Sequence, residues 1–244
     1  MIIKNRLLDL DLCIYQNDEW FKFSLDSVLL SKFVTLNMRC KKIIDLACGN
    51  APIPMFLSYR TNASIYGVEY QKEVFDLGIR SIRENKLSDR IQLFNYDVRN
   101  ISDFFDSDSF DVVTCNPPYF RVNCNKFIND NSIKASARHE ISLKLDDVLK
   151  SANYLLKTGG IFAMVHRTER MVEILDIFRK YAIEPKRIQF IYPKYKKNSD
   201  LFLIEGIING RAGIKLLSPL IIHNDDNSYT DDVQKLLLFN NRGE

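Results

Sequence analysis

Short apolar runs alternate along this chain with stretches in which apolar residues recur every three or four positions. The runs are Lys42–Cys48, Ser64–Tyr70, Ile91–Asp97, Asp111–Cys115 and Ile161–His166. Each has strand length and is bounded by polar or turn-forming residues. Between them, Val74, Leu77, Gly78 and Ile82 share one side of a helix, as do Leu145, Val148, Leu149 and Ala152. The alternation predicts βαβ units and a parallel sheet covered on both faces. Ligands in that architecture bind beyond the carboxyl ends of the strands, near the point where strand order reverses.

Three regions depart from the alternation. Leu25–Asn37 has a helical pattern and precedes the first strand. Towards the C-terminus, Arg187–Pro193, Leu201–Asn209 and Leu216–His223 read as successive strands, an antiparallel addition to one edge of the sheet. A last helix is expected over Thr230–Phe239, with Thr230 as N-cap ahead of two aspartates. Residues 120–140 are polar and follow neither period, as expected of a substrate loop.

Composition narrows the class. The 244 residues are 46% apolar and 27% charged, as in an ordinary globular protein, and one domain over residues 1–244 is expected. No apolar run approaches the ~20 residues that span a bilayer, and Met1–Arg6 has no signal-peptide core, so a cytoplasmic protein with no membrane partner is expected. The five cysteines form no C-x-x-C pair. Neither a zinc site nor a disulfide scaffold is indicated, and no metal is expected. A net charge of +3 permits RNA as a partner without demanding it.

The candidate chemistry lies at the ends of the predicted strands. The first ends in Asp45-Leu46-Ala47-Cys48-Gly49-Asn50, a small-residue turn that lets a ligand approach the backbone. Neither G-x-G-x-x-G nor G-x-x-x-x-G-K-[ST] is present, which argues against a dinucleotide and excludes a P-loop nucleotidase. The second ends in Glu69, placed to hold the hydroxyls of a ribose. The third ends in Asp97, whose carboxylate could accept an adenine amino group. The fourth runs into Asn116-Pro117-Pro118-Tyr119. The prolines remove two backbone donors and leave carbonyls exposed. The side-chain oxygen of Asn116 and the carbonyl of Pro117 then converge on a group with two N–H bonds, an exocyclic amine or an amide nitrogen. Tyr119 can stack on a flat substrate.

In this order the elements resemble a class I S-adenosylmethionine-dependent methyltransferase, and Asn-Pro-Pro-Tyr is similar to the amino-methyltransferase motif. The resemblance extends further. Gln16, the segment Phe21–Leu30, Asn116–Phe120, Arg138-His139-Glu140 and Leu156–Gly160 together resemble the bacterial tRNA1(Val) adenine-37 N6-methyltransferase family. The first turn departs from the usual D-x-G-x-G, with Ala47 in place of one glycine. The resemblance implies a Rossmann-like fold with a mostly parallel seven-stranded sheet, S-adenosylmethionine as cofactor and tRNA as substrate. It also implies that Gln16, Phe23, Ser24 and Asp26, in a segment spanning residues 1–40, close over the methionine end. Cofactor contacts are then expected at Asp45, Ala47, Gly49, Glu69, Asp97 and Asn116, and catalytic roles at Asn116, Pro117 and Tyr119.

RNA contacts are expected at Tyr119, Phe120, Lys126, Lys134, Arg138 and His139, and at Lys194, Tyr195 and Lys196, where rings mix with cations. His139 is not needed as a base, and His166 reads as a strand-end residue. A protein-glutamine N5-methyltransferase shares Asn-Pro-Pro-Tyr but normally carries a separate N-terminal helical domain. A DNA adenine methyltransferase usually carries a target-recognition domain. A catalytically silent RNA-binding relative would have no use for the Asn116–Tyr119 geometry. A monomer is expected.

Overall fold

A computed structural model describes residues 1–8, 10–17, 24–117 and 143–239. An antiparallel hairpin, β1 (Ile2–Arg6) with β2 (Cys13–Asn17), precedes helix α1 (Leu25–Phe33). The alternating part follows as β3 (Lys42–Leu46), α2 (Pro52–Arg60), β4 (Ser64–Glu69), α3 (Lys72–Glu84), β5 (Ile91–Asn95) and β6 (Phe110–Cys115). Then come α4 (Leu145–Leu155), β7 (Leu156–Arg167), α5 (Met171–Lys180), β8 (Ile183–Lys194), β9 (Leu201–Ile208), β10 (Lys215–Leu216), β11 (Leu220–His223) and α6 (Asp231–Leu237).

The main sheet has the order β10-β8-β9-β7-β6-β3-β4-β5, with β11 also on β8. Seven of its strands form the expected class I sheet, in which only β9 runs against its neighbours β7 and β8. Two short strands extend it to nine. The expected strand Leu216–His223 is divided into β10 and β11, and both run parallel to β8, not antiparallel. The reason is topological: β9 ends at the amino edge of the sheet, so the chain re-enters there and must run in the same direction as β8.

Alternation along the strands divides the core between two faces. Ile43 of β3 and Val112 of β6 pack with α1, α2 and α6 residues such as Leu30, Phe56 and Val233. Ile44 and Val113 pack on the other face with Val148, Ile174 and Phe178 of α4 and α5. The final helix has its expected cap, Thr230 Oγ1 accepting from the Val233 N–H at 3.4 Å.

Helix α1 ends earlier than the periodicity to Asn37 predicts. The Thr35 N–H and hydroxyl donate to buried Glu205 on β9 at 2.7 and 2.8 Å. The Arg60 guanidinium donates to the carbonyls of Ser31 and Val34. The terminal groups are thus satisfied from outside the helix, and the ladder stops. The proposed 120–140 loop lies outside the described residues. Among the described residues, no helix is long and apolar enough to cross a membrane.

Candidate active site

From β3, the chain continues to β4 and β5 on one side, then returns to place β6 and β7 on the other. Strand order therefore reverses between β3 and β6, and the candidate residues gather at the carboxyl ends there. Asp45 on β3 pairs in register with Gly67 on β4 and with Thr114 on β6. The turn after β3, the end of β4 and Asn116 after β6 follow directly.

The turn 47–51 is an unusual piece of backbone. Ala47, Gly49 and Ala51 all have positive φ, at 53°, 58° and 69°. An L-residue rarely adopts that region, so the alanines at 47 and 51 hold a conformation that the surrounding structure must enforce. Two contacts do so. Cys48 N–H donates to Val68 O at 3.0 Å, and the Asn50 side-chain amide donates to Tyr15 O of the β1–β2 hairpin at 2.8 Å. A Cβ added at Gly49 would meet nothing within 4 Å, so the space over this turn is open. Gly78 on α3 is the opposite case: its Cβ would lie 3.3 Å from the Asn50 backbone carbon, so glycine lets the helix pack against the turn.

Two carboxyl groups line the turn. Asp45 is 1% exposed. Its Oδ1 accepts from the Thr114 hydroxyl at 2.6 Å, while Oδ2 is buried with no hydrogen-bond partner among the described residues. Burial pushes its pKa up from 3.8 to about 8, against the Thr114 bond and with some help from the Glu69 charge. Such an orphaned buried oxygen is costly unless a ligand supplies the missing donor. Glu69, also buried, accepts from Gly49 N–H at 3.0 Å and Gln71 N–H at 2.8 Å. Burial raises its pKa, and these backbone donors oppose the rise.

Asp97 sits beyond β5, where its Oδ1 accepts from both the backbone N–H and the Nε of Arg99, at 2.9 and 3.0 Å. The Arg99 hydrogen bonds hold its carboxyl below the usual range. Asp97 is thus a charged acceptor already shared with an arginine.

Asn116 is half-buried and Pro117 buried at the end of β6. The Asn116 amide nitrogen donates to Ser27 Oγ on α1 at 3.4 Å. This brings the first turn of α1, with Ser24 and Asp26, to the same edge. Ser24 Oγ is buried without a hydrogen-bond partner among the described residues. Gln16, 2% exposed on β2, follows Tyr15, whose carbonyl holds Asn50. The nearby thiols of Cys48 and Cys115 are pushed well up by burial and are inert. His166 is buried on β7 and its pKa is lowered by burial to about 3, so it is neutral at ordinary pH.

Phe23, Tyr119, Phe120, Lys126, Lys134, Arg138 and His139 lie outside the described residues. Lys194, Tyr195 and Lys196 form the end of β8 and its turn, with Tyr195 exposed and the Lys196 ammonium 5.6 Å from its ring centroid. They stand along the carboxyl edge but are not in contact with the β3–β6 cluster.

Sequence reasoning missed Thr114, Ser27 and Tyr70. Thr114 is the one polar side chain in the inward-facing end of an apolar run, a signal that could have been weighed. Tyr70 is an exposed aromatic directly after Glu69. Nothing in the helical pattern of 25–33 distinguishes Ser27 from Ser31. Among the described residues, no group of three or more His, Cys, Asp or Glu is placed to hold a metal ion.

Residues 39–189 match the family model described as "Methyltransferase domain". The chain is 26% identical over 176 residues to a tRNA1(Val) (adenine(37)-N6)-methyltransferase of Parabacteroides distasonis, covering 70% of each protein. It is 24% identical over 225 residues to the protein of the same name in Flavobacterium psychrophilum, covering 90% of this chain and 92% of that one. Among solved structures it resembles a predicted O-methyltransferase of Agrobacterium tumefaciens, with a TM-score of 0.70, 22% identity, and 87% and 95% of the two chains covered. It also resembles the geranyl diphosphate C-methyltransferase of Streptomyces coelicolor in complex with S-adenosyl-L-homocysteine, with a TM-score of 0.57, 12% identity, and 75% and 80% covered.

Proposed function

The chain belongs to the methyltransferase-domain family, and from that membership we propose that it moves a methyl group from S-adenosylmethionine to the exocyclic N6 amine of an adenine in tRNA, adenosine 37 of the tRNA1(Val) anticodon loop. The observation that carries this reading is the position of Asn116 and Pro117. They follow β6 at the reversal of strand order, beside the Asp45, Gly49 and Glu69 cluster on β3 and β4.

The residues present suit the cofactor. The open positive-φ turn admits close approach at Ala47 and Gly49, and the unpartnered Asp45 Oδ2 is ready for a donor. Glu69 would hold the ribose hydroxyls, and Asp97, shared with Arg99, would accept the adenine amino group. Gln16, Phe23, Ser24 and Asp26 would close the methionine end. When bound, S-adenosylmethionine supplies an electrophilic methyl group on a positively charged sulfur.

The exocyclic nitrogen of adenine is a weak nucleophile because its lone pair is delocalised into the ring. Asn116 Oδ1 and the Pro117 carbonyl would accept its two hydrogens and favour a pyramidal nitrogen with its lone pair directed at the methyl group. That nitrogen becomes positive as the transfer proceeds, so the two acceptors stabilise the transition state more than the ground state. The remainder is positioning, and no dedicated base is required. Tyr119 would stack on the base once it has left the loop, and Phe120 would line the same place. Lys126, Lys134, Arg138, His139, Lys194, Tyr195 and Lys196 would contact the RNA backbone and its unpaired bases. The relatives' names support tRNA as the substrate, and action as a monomer in the cytoplasm is part of the same proposal.

The test is methylation of a tRNA1(Val) transcript alongside one with guanosine at position 37. The expected result is one methyl group per molecule of the first and none on the second. Equal labelling of both would overturn the assignment of the nucleotide.

A further inference from the structure

Helix α1 is anchored at one end and meets the reacting residues at the other. At its C-terminal end, Glu205 is 3% exposed and accepts from the Thr35 N–H and hydroxyl and from Arg187. Arg187 also donates to Phe33 O and to the Thr35 hydroxyl oxygen, and Arg60 donates to Ser31 O and Val34 O. The helix is therefore fixed to β8, β9 and α2 and is not free to slide or roll. Its first turn carries Ser27, itself 3% exposed, to Asn116 just beyond β6, and the Asn116 amide nitrogen donates to Ser27 Oγ at 3.4 Å. The bond is long, the state common in catalytic sites before substrate closes them.

The two ends of an asparagine amide are opposite in kind: the nitrogen only donates and the oxygen only accepts. With the nitrogen turned to α1, the oxygen lies on the other side of the amide carbon. A target amine needs that oxygen. An amide turned the other way would bring N–H donors against N–H donors. We propose that Ser27 is a positioning residue for Asn116: its buried hydroxyl holds the amide by its nitrogen and so sets the oxygen on the side away from α1, the orientation in which it can accept a hydrogen of the target amine. The inference rests on the role given to Asn116 above.

Ser27→Ala removes the hydroxyl, Ser27→Cys keeps its size with a much weaker acceptor, and Ser27→Thr keeps a hydroxyl. Each is made in the full chain, and kcat, KM for tRNA, cofactor affinity and Tm are measured. Ser27→Ala and Ser27→Cys are expected to lower kcat about tenfold, with both affinities within about twofold of wild type, and Ser27→Thr to recover most of the loss. In an Asn116→Ala background, Ser27→Ala is expected to lower the residual rate no further, because residues acting as one unit are not additive. A kcat unchanged in Ser27→Ala and Ser27→Cys, while Asn116→Ala is crippled, would overturn the inference and leave the function standing. A full tenfold loss persisting in the Asn116→Ala background would also overturn it, since Ser27 would then act elsewhere. Near wild-type turnover in Asn116→Ala alone would bring down the reading of Asn116 and this inference with it.

Discussion

Asp45, at the candidate site, is a carboxyl held where its charged form is disfavoured. Its carboxyl lies buried at the end of β3, with one oxygen on Thr114 and the other unpartnered. Burial raises its pKa from 3.8 to about 8. The folded state therefore holds a proton that the unfolded chain releases above pH ~4. Its contribution to stability is fully present below about pH 4 and is lost progressively as pH rises to about 8. Replacing it with Asn removes that titration. The expected result is a Tm that falls from pH 5 to pH 8 more steeply in wild type than in Asp45→Asn, as followed by thermal unfolding across the range. Parallel Tm profiles for the two proteins would contradict it. Saturating S-adenosylmethionine is expected to reduce the difference, because a donor from the cofactor at the buried Oδ2 would favour the ionised carboxylate.

At the scale of elements, α1 carries the most weight for its length. Nine residues link the candidate site to β8 and β9 through Thr35, Glu205 and Arg187. Glu205→Ala leaves the Thr35 N–H and one face of Arg187 without a buried acceptor, at an expected cost of about 2–3 kcal/mol by denaturant unfolding. A loss below about 0.5 kcal/mol would show that the clamp is replaceable by water. Elements also differ in how far the sequence reveals them. The central strands β3, β4 and β6 were legible because both faces are largely buried, so they read as apolar runs, whereas β5 at the sheet edge showed as an alternating stretch of strand length. The β1–β2 hairpin was not, because Ile2–Arg6 alternates between half-buried and exposed positions with charges interleaved. The start of β7 was hidden by Lys157-Thr-Gly-Gly160, which carries no period. The division of β10 from β11 at Pro219 and their parallel pairing depend on where β9 ends, a tertiary fact that no local pattern encodes.

For the whole molecule, strand register relates distant segments. Cys115 on β6 pairs with Met164 on β7, Arg167 at the end of β7 pairs with Leu201 on β9, and Leu201 pairs with Ile191 on β8. The β8–β9 turn therefore projects from the same edge as Asn116, three strand spacings away, or ~14 Å. Tyr195 is 69% exposed there, with Lys196 beside its ring. If RNA runs along this edge, Tyr195→Ala and Lys196→Ala each raise KM for tRNA several-fold and leave kcat and cofactor affinity unchanged. Lys196→Ala also reduces the salt dependence of binding by just under one unit in log–log slope. Unchanged KM and slope would place the RNA elsewhere. The candidate site was legible in its parts, since Asp45, Gly49, Glu69 and Asn116 each stand at or just beyond the end of a strand in the alternation. Its assembly was not: Thr114, Ser27 and the Asn50–Tyr15 bond join residues 35 to 89 positions apart.

The most direct measurement is transfer of labelled methyl from S-adenosylmethionine to unmodified total tRNA, by the full chain and by Asn116→Ala, with cofactor affinity measured on both. Digestion of the wild-type product is expected to yield N6-methyladenosine. Asn116→Ala is expected to keep measurable cofactor binding and to transfer methyl about 10²–10³-fold more slowly. Label on protein or DNA in place of tRNA, or undiminished transfer by Asn116→Ala, would contradict the account.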